Sequence, residues 1–163
     1  MTPVRVMLDT SAVRNLERDA VLIGRLTELA DRRSVAFVIC RTVSEELWAG
    51  QRLGKGAGTP AIPVTYVGNT VGRCGLMVCG DSIGEGEAFD AHLAGATSRR
   101  RQKDALIADA ARWHADVLVS DDEKCINRFR RAVPTHPALG LNELVDWLAS
   151  CKVVDPEREV GAS

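Results

Sequence analysis

The amino-acid sequence predicts an α/β protein, a three-layer α/β/α sandwich built on a central, mainly parallel sheet. Two observations predict this class. Short apolar runs rich in β-branched residues alternate with longer segments that carry apolar residues at helical spacing. The apolar runs are nearly continuous, as in strands that helices cover on both faces. At 163 residues the chain has the size of one domain, so we expect a single domain over 1–154 and a polar tail over 155–163.

The first third of the chain predicts two strand–helix units. The strand candidates are almost entirely apolar, and the helix between them can be capped by a hydroxyl side chain. Apolar residues then recur at helical spacing in two further segments. The predicted elements are strands at 4–8 and 34–39, and helices from Thr10 or Ser11, over about 19–32 and over 42–52.

Residues 54–98 have a different character, and we interpret them as an atypical insertion rich in glycine and proline. Two short β-rich runs, at 64–67 and 76–79, predict a hairpin or an ordered insertion. A helix is expected over 85–96, and the basic run 98–103 is expected to be a connector.

The last third of the chain returns to the alternating pattern. The segment 104–114 has strong helical periodicity, and an apolar strand follows it. The predicted elements are helices at 104–114 and 125–131, strands at 116–120 and 131–133, and a final helix over 142–148 capped by Asn142.

Composition excludes several classes of protein. The chain has 21 basic and 22 acidic residues, so total charge does not indicate a nucleic-acid partner, and only local clustering can. The N-terminus lacks the pattern of a signal peptide, and the longest uncharged stretch, 56–72, contains prolines and glycines. We therefore expect a cytoplasmic protein with no membrane span. The five cysteines are scattered and odd in number, which favours small buried residues over disulfides or zinc ligands.

Several acidic residues occupy positions where a buried or functional role is expected. Asp9 follows the first strand directly, and Asp121 and Asp122 follow the strand at 116–120. The carboxyl ends of parallel strands are where ligands bind in open α/β sheets. Asp104 shares the apolar stripe of its helix and should point inward, whereas Asp109 lies off that stripe and should be solvated.

Glu45 and Glu46 add a further carboxylate after the second strand, and Glu46 can share the inward face of its helix. Each acid alone has a structural explanation, such as helix capping by Asp9 or a helix-dipole interaction at Asp104. Four converging carboxylates, however, would repel one another and raise one another's pKa. A hard divalent cation, Mg²⁺ or Mn²⁺, resolves that conflict because it prefers oxygen ligands.

The chain resembles the PIN-domain nucleases, a fold found in many bacterial toxin ribonucleases. The resemblance covers the first 50 residues and about 100–131. It is carried by four short motifs in the same order: Leu8-Asp9-Thr10-Ser11, Ser44-Glu45-Glu46-Leu47, Asp104-Ala105-Leu106-Ile107-Ala108 and Leu118-Val119-Ser120-Asp121-Asp122.

This resemblance implies a PIN-like fold and a site that binds Mg²⁺ or Mn²⁺. It selects Glu46 over Glu45, and Asp122 over Asp121, with Asp121 as an accessory ligand. The implied function is hydrolysis of RNA phosphodiester bonds to 5′-phosphate and 3′-hydroxyl ends, in a homodimer that can be the toxin of a toxin–antitoxin pair. The implied metal ligands are Asp9, Glu46, Asp104 and Asp122, and the implied supporting hydroxyls are those of Ser11 and Ser120.

The basic run that leads into Asp104 is the candidate nucleic-acid-binding segment. Arg99, Arg100, Arg101 and Lys103 could follow the phosphates of an RNA strand near the metal. The alternatives are a non-catalytic PIN-like scaffold and another Mg²⁺-dependent phosphohydrolase. Phosphatases of the haloacid type need a second Asp where this chain has Ser11, and the insertion at 54–98 departs from the toxin members of the PIN family, which are usually shorter there.

Overall fold

A computed structural model describes residues 2–71, 79, 81, 86–95 and 98–150. Its five strands form one all-parallel sheet in the order β3-β2-β1-β4-β5, and the helices of the described residues flank that sheet. The predicted three-layer α/β/α class is confirmed. The strands are β1 (Val4–Leu8), β2 (Val35–Cys40), β3 (Thr65–Val67), β4 (Val117–Val119) and β5 (Ala138–Leu139); the helices are α1 (Thr10–Leu16), α2 (Ala20–Asp31), α3 (Arg41–Arg52), α4 (Glu87–Leu93), α5 (Arg99–His114), α6 (Glu123–Ala132) and α7 (Leu141–Ser150).

The central strands are buried on both faces, which explains their unbroken apolar sequences. Val6, Met7 and Leu8 of β1 are fully buried, and so are Leu118 and Val119 of β4. Side chains that alternate between two faces of a sheet are all apolar only when helices cover both faces. None of the helices in the described ranges is both long enough and apolar enough to cross a membrane.

The chain reverses its direction across the sheet at β1. It moves outward from β1 to β2 and β3, and α5 then carries it back over the middle of the sheet to β4, on the other side of β1. Such a reversal opens a crevice beyond the carboxyl ends of the two strands, where open α/β sheets bind ligands. Leu8 pairs with Val119, so Asp9 and Ser120 emerge from neighbouring strands at this point.

The first part of the predicted insertion belongs to the central sheet. Residues Thr65–Val67 form β3, which pairs in parallel with β2 at the edge of the sheet. The predicted second run, 76–79, lies outside the described residues except for Cys79, so a hairpin there stays a prediction. The predicted polar tail, 155–163, also lies outside them.

A buried ion pair fastens this segment to the start of α3. The carboxylate of Asp81 is fully buried and accepts hydrogen bonds from Arg41 Nε at 3.1 Å and Nη2 at 2.8 Å. It also accepts one from the backbone N–H of Asn69 at 2.8 Å. The side chain of Asn69 is itself buried and bonded to Thr42, so polar groups here are paired rather than merely enclosed.

The basic run is helical rather than a connector, so that prediction was wrong. Helix α5 begins at Arg99, and the hydroxyl of Ser98 caps it by accepting from the N–H of Arg101. Arginine, lysine and glutamine are good helix formers, but a run without apolar residues gives no periodic signal. As a result Asp104 lies in the second turn of α5 and not at its N-terminus, which weakens the helix-dipole explanation for it.

Two predictions near the C-terminus were also wrong. Residues predicted as a strand at 131–133 are the end of α6 and its C-cap, and the edge strand is β5 at Ala138–Leu139. Asn142 lies inside α7, which begins one residue earlier, so it does not cap the helix. The backbone N–H of Leu141 instead donates to Asp121 Oδ1 at 2.9 Å.

The prediction that Asp109 is solvated was wrong. Its side chain is fully buried, accepts a hydrogen bond from the Thr70 hydroxyl, and lies 3.3 Å from the backbone nitrogen of Phe89. The middle of α5 packs against both the sheet and α4, so a second face of the helix is enclosed. Helical periodicity identifies the apolar face of α5 that packs on the sheet. It does not identify the second buried face, because the polar Asp109 on that face gives no apolar signal.

Candidate functional site

Asp9 sits at the switch point of the sheet and is only 6% exposed. One carboxylate oxygen accepts from the Ser11 hydroxyl and from the backbone N–H of Ala12, each at 2.8 Å. The other accepts from the Ser120 hydroxyl at 2.5 Å. Asp9 therefore caps α1, which is the structural role that the sequence suggested for it. Its carboxylate also bonds to Ser120 at the end of the neighbouring strand.

Burial raises the pKa of the Asp9 carboxyl, although its hydrogen bonds oppose that rise. The negative charge of Asp121 raises the pKa of Asp9 slightly further. An ordinary helix cap is exposed and keeps its charge at little cost. A carboxyl with a raised pKa at the mouth of a sheet is instead a candidate for a functional role.

Two serine hydroxyls join the ends of β1 and β4. Ser120 is fully buried, donates to Asp9, and accepts from the backbone N–H of Asp122 at 3.1 Å. Ser11 accepts from the backbone N–H of Asp121 at 2.9 Å, and the two hydroxyl oxygens lie 3.4 Å apart. Both serines thus hold Asp9 against the loop that leads into α6, where the resemblance places supporting hydroxyls.

Asp121 and Asp122 point in different directions. Asp122 caps α6, accepting from the N–H of Lys124 at 2.9 Å, and its second oxygen lies 3.2 Å from Arg100 Nη2. Asp121 accepts from the Asn15 amide at 2.9 Å, and its other oxygen bonds to the start of α7. Asp122 therefore faces α5 and the candidate site, whereas Asp121 links two helices.

Asp104 faces this loop from α5. Its carboxylate accepts from Arg128 Nη2 at 2.9 Å, and its side chain is 20% exposed. Burial raises the pKa of Asp104, Arg128 and Arg100 oppose the rise, and the negative charges of Asp122 and Glu46 add to it. Acids of α3 and of the β4–α6 loop therefore lie near enough to Asp104 for their charges to raise its pKa.

Glu46, and not Glu45, is the glutamate on this side of α3. The hydroxyl of Thr10 donates to Glu46, whose other carboxylate oxygen lies 3.1 Å from Lys103 Nζ. Glu45 is 61% exposed and pairs with Arg41 at 2.8 Å. The contact from Thr10, next to Asp9, places Glu46 at the mouth of β1.

The thiol of Cys125 is buried close to the acidic side chains of the candidate site. Burial raises the pKa of Cys125 to about 12, and the charges of Asp9, Asp104 and Asp122 contribute to that rise. Cys40 is also buried, and its pKa is raised to about 11. The prediction that all cysteines are buried is wrong for Cys79, which is exposed.

An open cavity of about 610 Å³ adjoins these acids. Its walls come from the start of α5 and from α6, and they combine carboxylates with basic side chains. Such a surface suits an anionic ligand held partly by cations. Its lining includes Arg100, Arg101, Asp104, Asp122, Lys124 and Arg128.

The donor set fits a hard divalent cation by its chemistry, because the converging ligands are carboxylate oxygens. Even so, no group of three or more His, Cys, Asp or Glu side chains lies close enough to hold a metal ion among the described residues. Three of the acids instead pair with Lys103, Arg128 and Arg100. These basic side chains balance the negative charge in the present arrangement.

Sequence reasoning missed the tertiary partners of the acids. Thr10, Lys103 and Arg128 contact Glu46 or Asp104 directly. No sequence signal pairs Lys103 with Glu46, because their helices meet only in the folded chain.

His92 of α4 is a buried titratable group behind the site, 1% exposed. Burial lowers the pKa of His92 to about 4, and the charges of Arg128 and Arg101 add to the effect. The unfolded chain binds a proton at this histidine near pH 6.5 and the folded chain does not. Stability should therefore fall as pH drops from about 6.5 toward 4.

Replacing His92 with leucine should flatten that pH dependence. We expect the parent to lose about 2 kcal/mol of unfolding free energy at this residue between pH 7 and pH 5. The measurement is urea unfolding at both pH values, with His136→Gln as the control, since His136 lies in a loop between α6 and β5. An equal loss in the parent and in His92→Leu would contradict the prediction.

Comparisons with known proteins show no family. No family model matches the chain, and no curated protein matches it. Among solved structures, the crystal structure of PAE2754 from Pyrobaculum aerophilum is similar, with 19% sequence identity and a TM-score of 0.43. The alignment covers 90% of this chain and 96% of that one. A likeness of this degree carries no conclusion about function.

Proposed function

We propose that this protein is a divalent-metal-dependent ribonuclease that resembles the PIN-domain nucleases. One observation carries the proposal: acidic side chains that follow β1 and β4, and others on two helices, lie near the switch point of the sheet, where hydrogen bonds and ion pairs link them to neighbouring elements. Burial raises the pKa of Asp9 and Asp104 there, and neighbouring acids add to both shifts. Acidic side chains at a ligand-binding edge supply the oxygen ligands that a hard divalent cation prefers.

In this proposal Asp9, Glu46, Asp104 and Asp122 hold Mg²⁺ or Mn²⁺, with Asp121 as an accessory ligand. When bound, the cation polarises phosphate oxygens and lowers the pKa of water at the site. Ser11 and Ser120 keep the Asp9 carboxylate in place through the hydrogen bonds described above. No side chain needs to form a covalent bond to the substrate.

The basic residues at the start of α5 hold the RNA backbone in this proposal. Arg100 and Lys103 already reach two of the acids, and Arg101 lines the adjoining cavity. Arg99 occupies the exposed first position of the helix. With a cation bound by the carboxylates, Arg100 and Lys103 would be available to pair with phosphates.

The biological setting follows the same resemblance and is part of the proposal. The protein would act in the cytoplasm, as a homodimer, and as the toxin of a pair whose antitoxin blocks the site. Expressing the chain with and without the product of a small neighbouring reading frame tests this. Growth arrest that the second protein relieves would support a toxin, and unaffected growth with active enzyme would contradict it.

A paired substitution tests the catalytic proposal. Glu46→Gln removes one proposed ligand, whereas Glu45→Gln alters the adjacent exposed glutamate and serves as the matched control. We expect cleavage of single-stranded RNA that needs Mn²⁺ or Mg²⁺ and stops in EDTA. Glu46→Gln should lower kcat/KM by about 100-fold and Glu45→Gln by less than about threefold. Activity that survives Glu46→Gln would remove this residue from the site.

The ion pairs at the site favour one second candidate, a non-catalytic scaffold that binds RNA. In that case Arg100, Arg128 and Lys103 neutralise the acids permanently. Parent protein that binds RNA without cleaving it, with any divalent metal, would support the scaffold. Cleavage of a small phosphate ester but not RNA would instead indicate another phosphohydrolase.

A further inference from the structure

A second cleft of about 530 Å³ lies across the β4–α6 loop from the candidate site. It runs between α6 and the junction of β5 with α7. Asp121 and Glu123 line both this cleft and the cavity beside the acids, so one short loop separates them. A ligand bound at the acids can therefore extend over the loop. The lining used below consists of Asn127, Arg130, Gly140, Asn142 and Glu143, and we name it the α6–α7 cleft.

Arg130 supplies a flat, fixed surface in the α6–α7 cleft. Its guanidinium donates to the carbonyl of Ala138 through Nε at 3.1 Å and Nη2 at 2.7 Å. Nη2 also lies 4.0 Å from Glu143, and the Arg130 side chain remains 50% exposed. Bases in single-stranded RNA stack on guanidinium planes as they do on aromatic rings.

Two carboxamides line the α6–α7 cleft together with Arg130. Asn127 and Asn142 are exposed, and neither side chain makes a hydrogen bond within the part of the chain that the structure describes. A carboxamide presents a donor and an acceptor side by side, which matches the edge of a base such as adenine. Gly140 also lines the cleft and adds no side chain to it.

The wall of this cleft is held in place by an acid that the catalytic proposal does not need as a primary ligand. Asp121 accepts from Asn15 of α1 and from the first N–H of α7. Gly140 N–H donates to Glu143 at 2.8 Å, which fixes the turn into α7. The cleft is thus a formed feature whose position relative to Asp122 is set by the β4–α6 loop.

We propose that the α6–α7 cleft binds the base of a nucleotide next to the scissile phosphate of single-stranded RNA. The base stacks on Arg130, and Asn127 and Asn142 read its edge. This inference rests on the proposed function, and it names the part of the protein that sets sequence preference. The walls combine Arg130 with carboxamides and carboxylates, a mixture that suits a base better than a phosphate group.

The test is a cycle that combines Arg130→Lys with an abasic nucleotide in the RNA. A set of oligonucleotides carries one abasic residue at each position around the cleavage site. For the parent, one abasic position should lower kcat/KM by about 5- to 100-fold, mainly through KM, because a stacked base is lost. Arg130→Lys keeps the charge and removes the plane, so it should cost a similar factor on intact RNA and nothing more on that abasic RNA.

Arg131→Lys is the matched control, because Arg131 is an exposed neighbour whose guanidinium contacts a backbone carbonyl, that of Asn127. It should leave both rates unchanged. Asn127→Ala and Asn142→Ala should flatten the base preference at the same position on a randomised RNA pool. Thermal midpoints of all variants exclude unfolding as the cause.

The outcomes separate the two proposals. The base site is wrong if the parent cleaves RNA and no abasic position lowers kcat/KM. It is also wrong if the factors by which Arg130→Lys and the abasic change lower kcat/KM simply multiply. In either case the proposed nuclease function stands. If the parent neither binds nor cleaves RNA, the proposed function fails and the base site fails with it.

Discussion

Asp9→Asn should abolish nearly all metal-dependent RNA cleavage while leaving the fold intact. The substitution removes the negative charge from a proposed ligand whose partners among the described residues are two hydroxyls and a backbone N–H, with no basic side chain to balance it. We expect kcat/KM to fall on the order of a thousandfold, since the loss of several kcal/mol of charge stabilisation has that size. The affinity for Mn²⁺, measured by titration calorimetry, should fall as well.

The Asp9→Asn variant should keep its stability although it loses activity. Burial raises the pKa of Asp9, so its ionised form is held at a cost at neutral pH. Asparagine is an equally good helix cap and can still accept from the N–H of Ala12. We therefore expect the free energy of unfolding to stay within about 1 kcal/mol of the parent or to exceed it.

Asp19→Asn is the control for Asp9→Asn, because Asp19 caps α2 in the same way, through Leu22 N–H at 2.9 Å, but is exposed. It should change neither activity nor Mn²⁺ affinity. RNA cleavage that persists in Asp9→Asn at the parental rate would contradict the metal site. A large loss of stability together with activity would show that Asp9 is only a structural cap.

Arg41→Met should cause the largest loss of stability among the ion pairs described. It leaves the carboxylate of Asp81 fully buried without its guanidinium, and an uncompensated buried charge costs about 3–5 kcal/mol. The consequence should extend to the segment after β3, because Asp81 also holds the backbone of Asn69. Urea unfolding measures the free energy, and hydrogen exchange measures protection near Asn69.

Arg112→Met is the control for this loss. The pair of Arg112 with Glu87 has a similar length, 3.1 Å, but Glu87 is 66% exposed, so its removal should cost less than about 1 kcal/mol. Asp81→Asn in the Arg41→Met background should recover part of the stability, because it removes the buried charge that lost its Arg41 partner. Equal losses in Arg41→Met and Arg112→Met would contradict the buried pair.

The sequence by itself determined the fold class and most of the elements. Unbroken apolar runs at β1, β2 and β4 are typical of strands covered on both faces, and helical spacing located α2 and α3. These patterns are local, and the strand sequences are apolar because the strands are buried on both faces. The sequence also placed Asp9 and Asp122 at strand ends, and topology then made those ends neighbours.

Only the tertiary structure decided which polar side chains are buried and what they contact. Asp109 gave no sequence signal because it lies on a second enclosed face of α5, and Asp81 gave none because it lies outside any periodic element. The resemblance selected Glu46 over Glu45, but only the folded chain shows the contacts of Glu46 with Thr10 and Lys103, which join three helices. Periodicity reports one face of one element, whereas ion pairs and pKa shifts depend on distances between elements, and those exist only after the chain has folded.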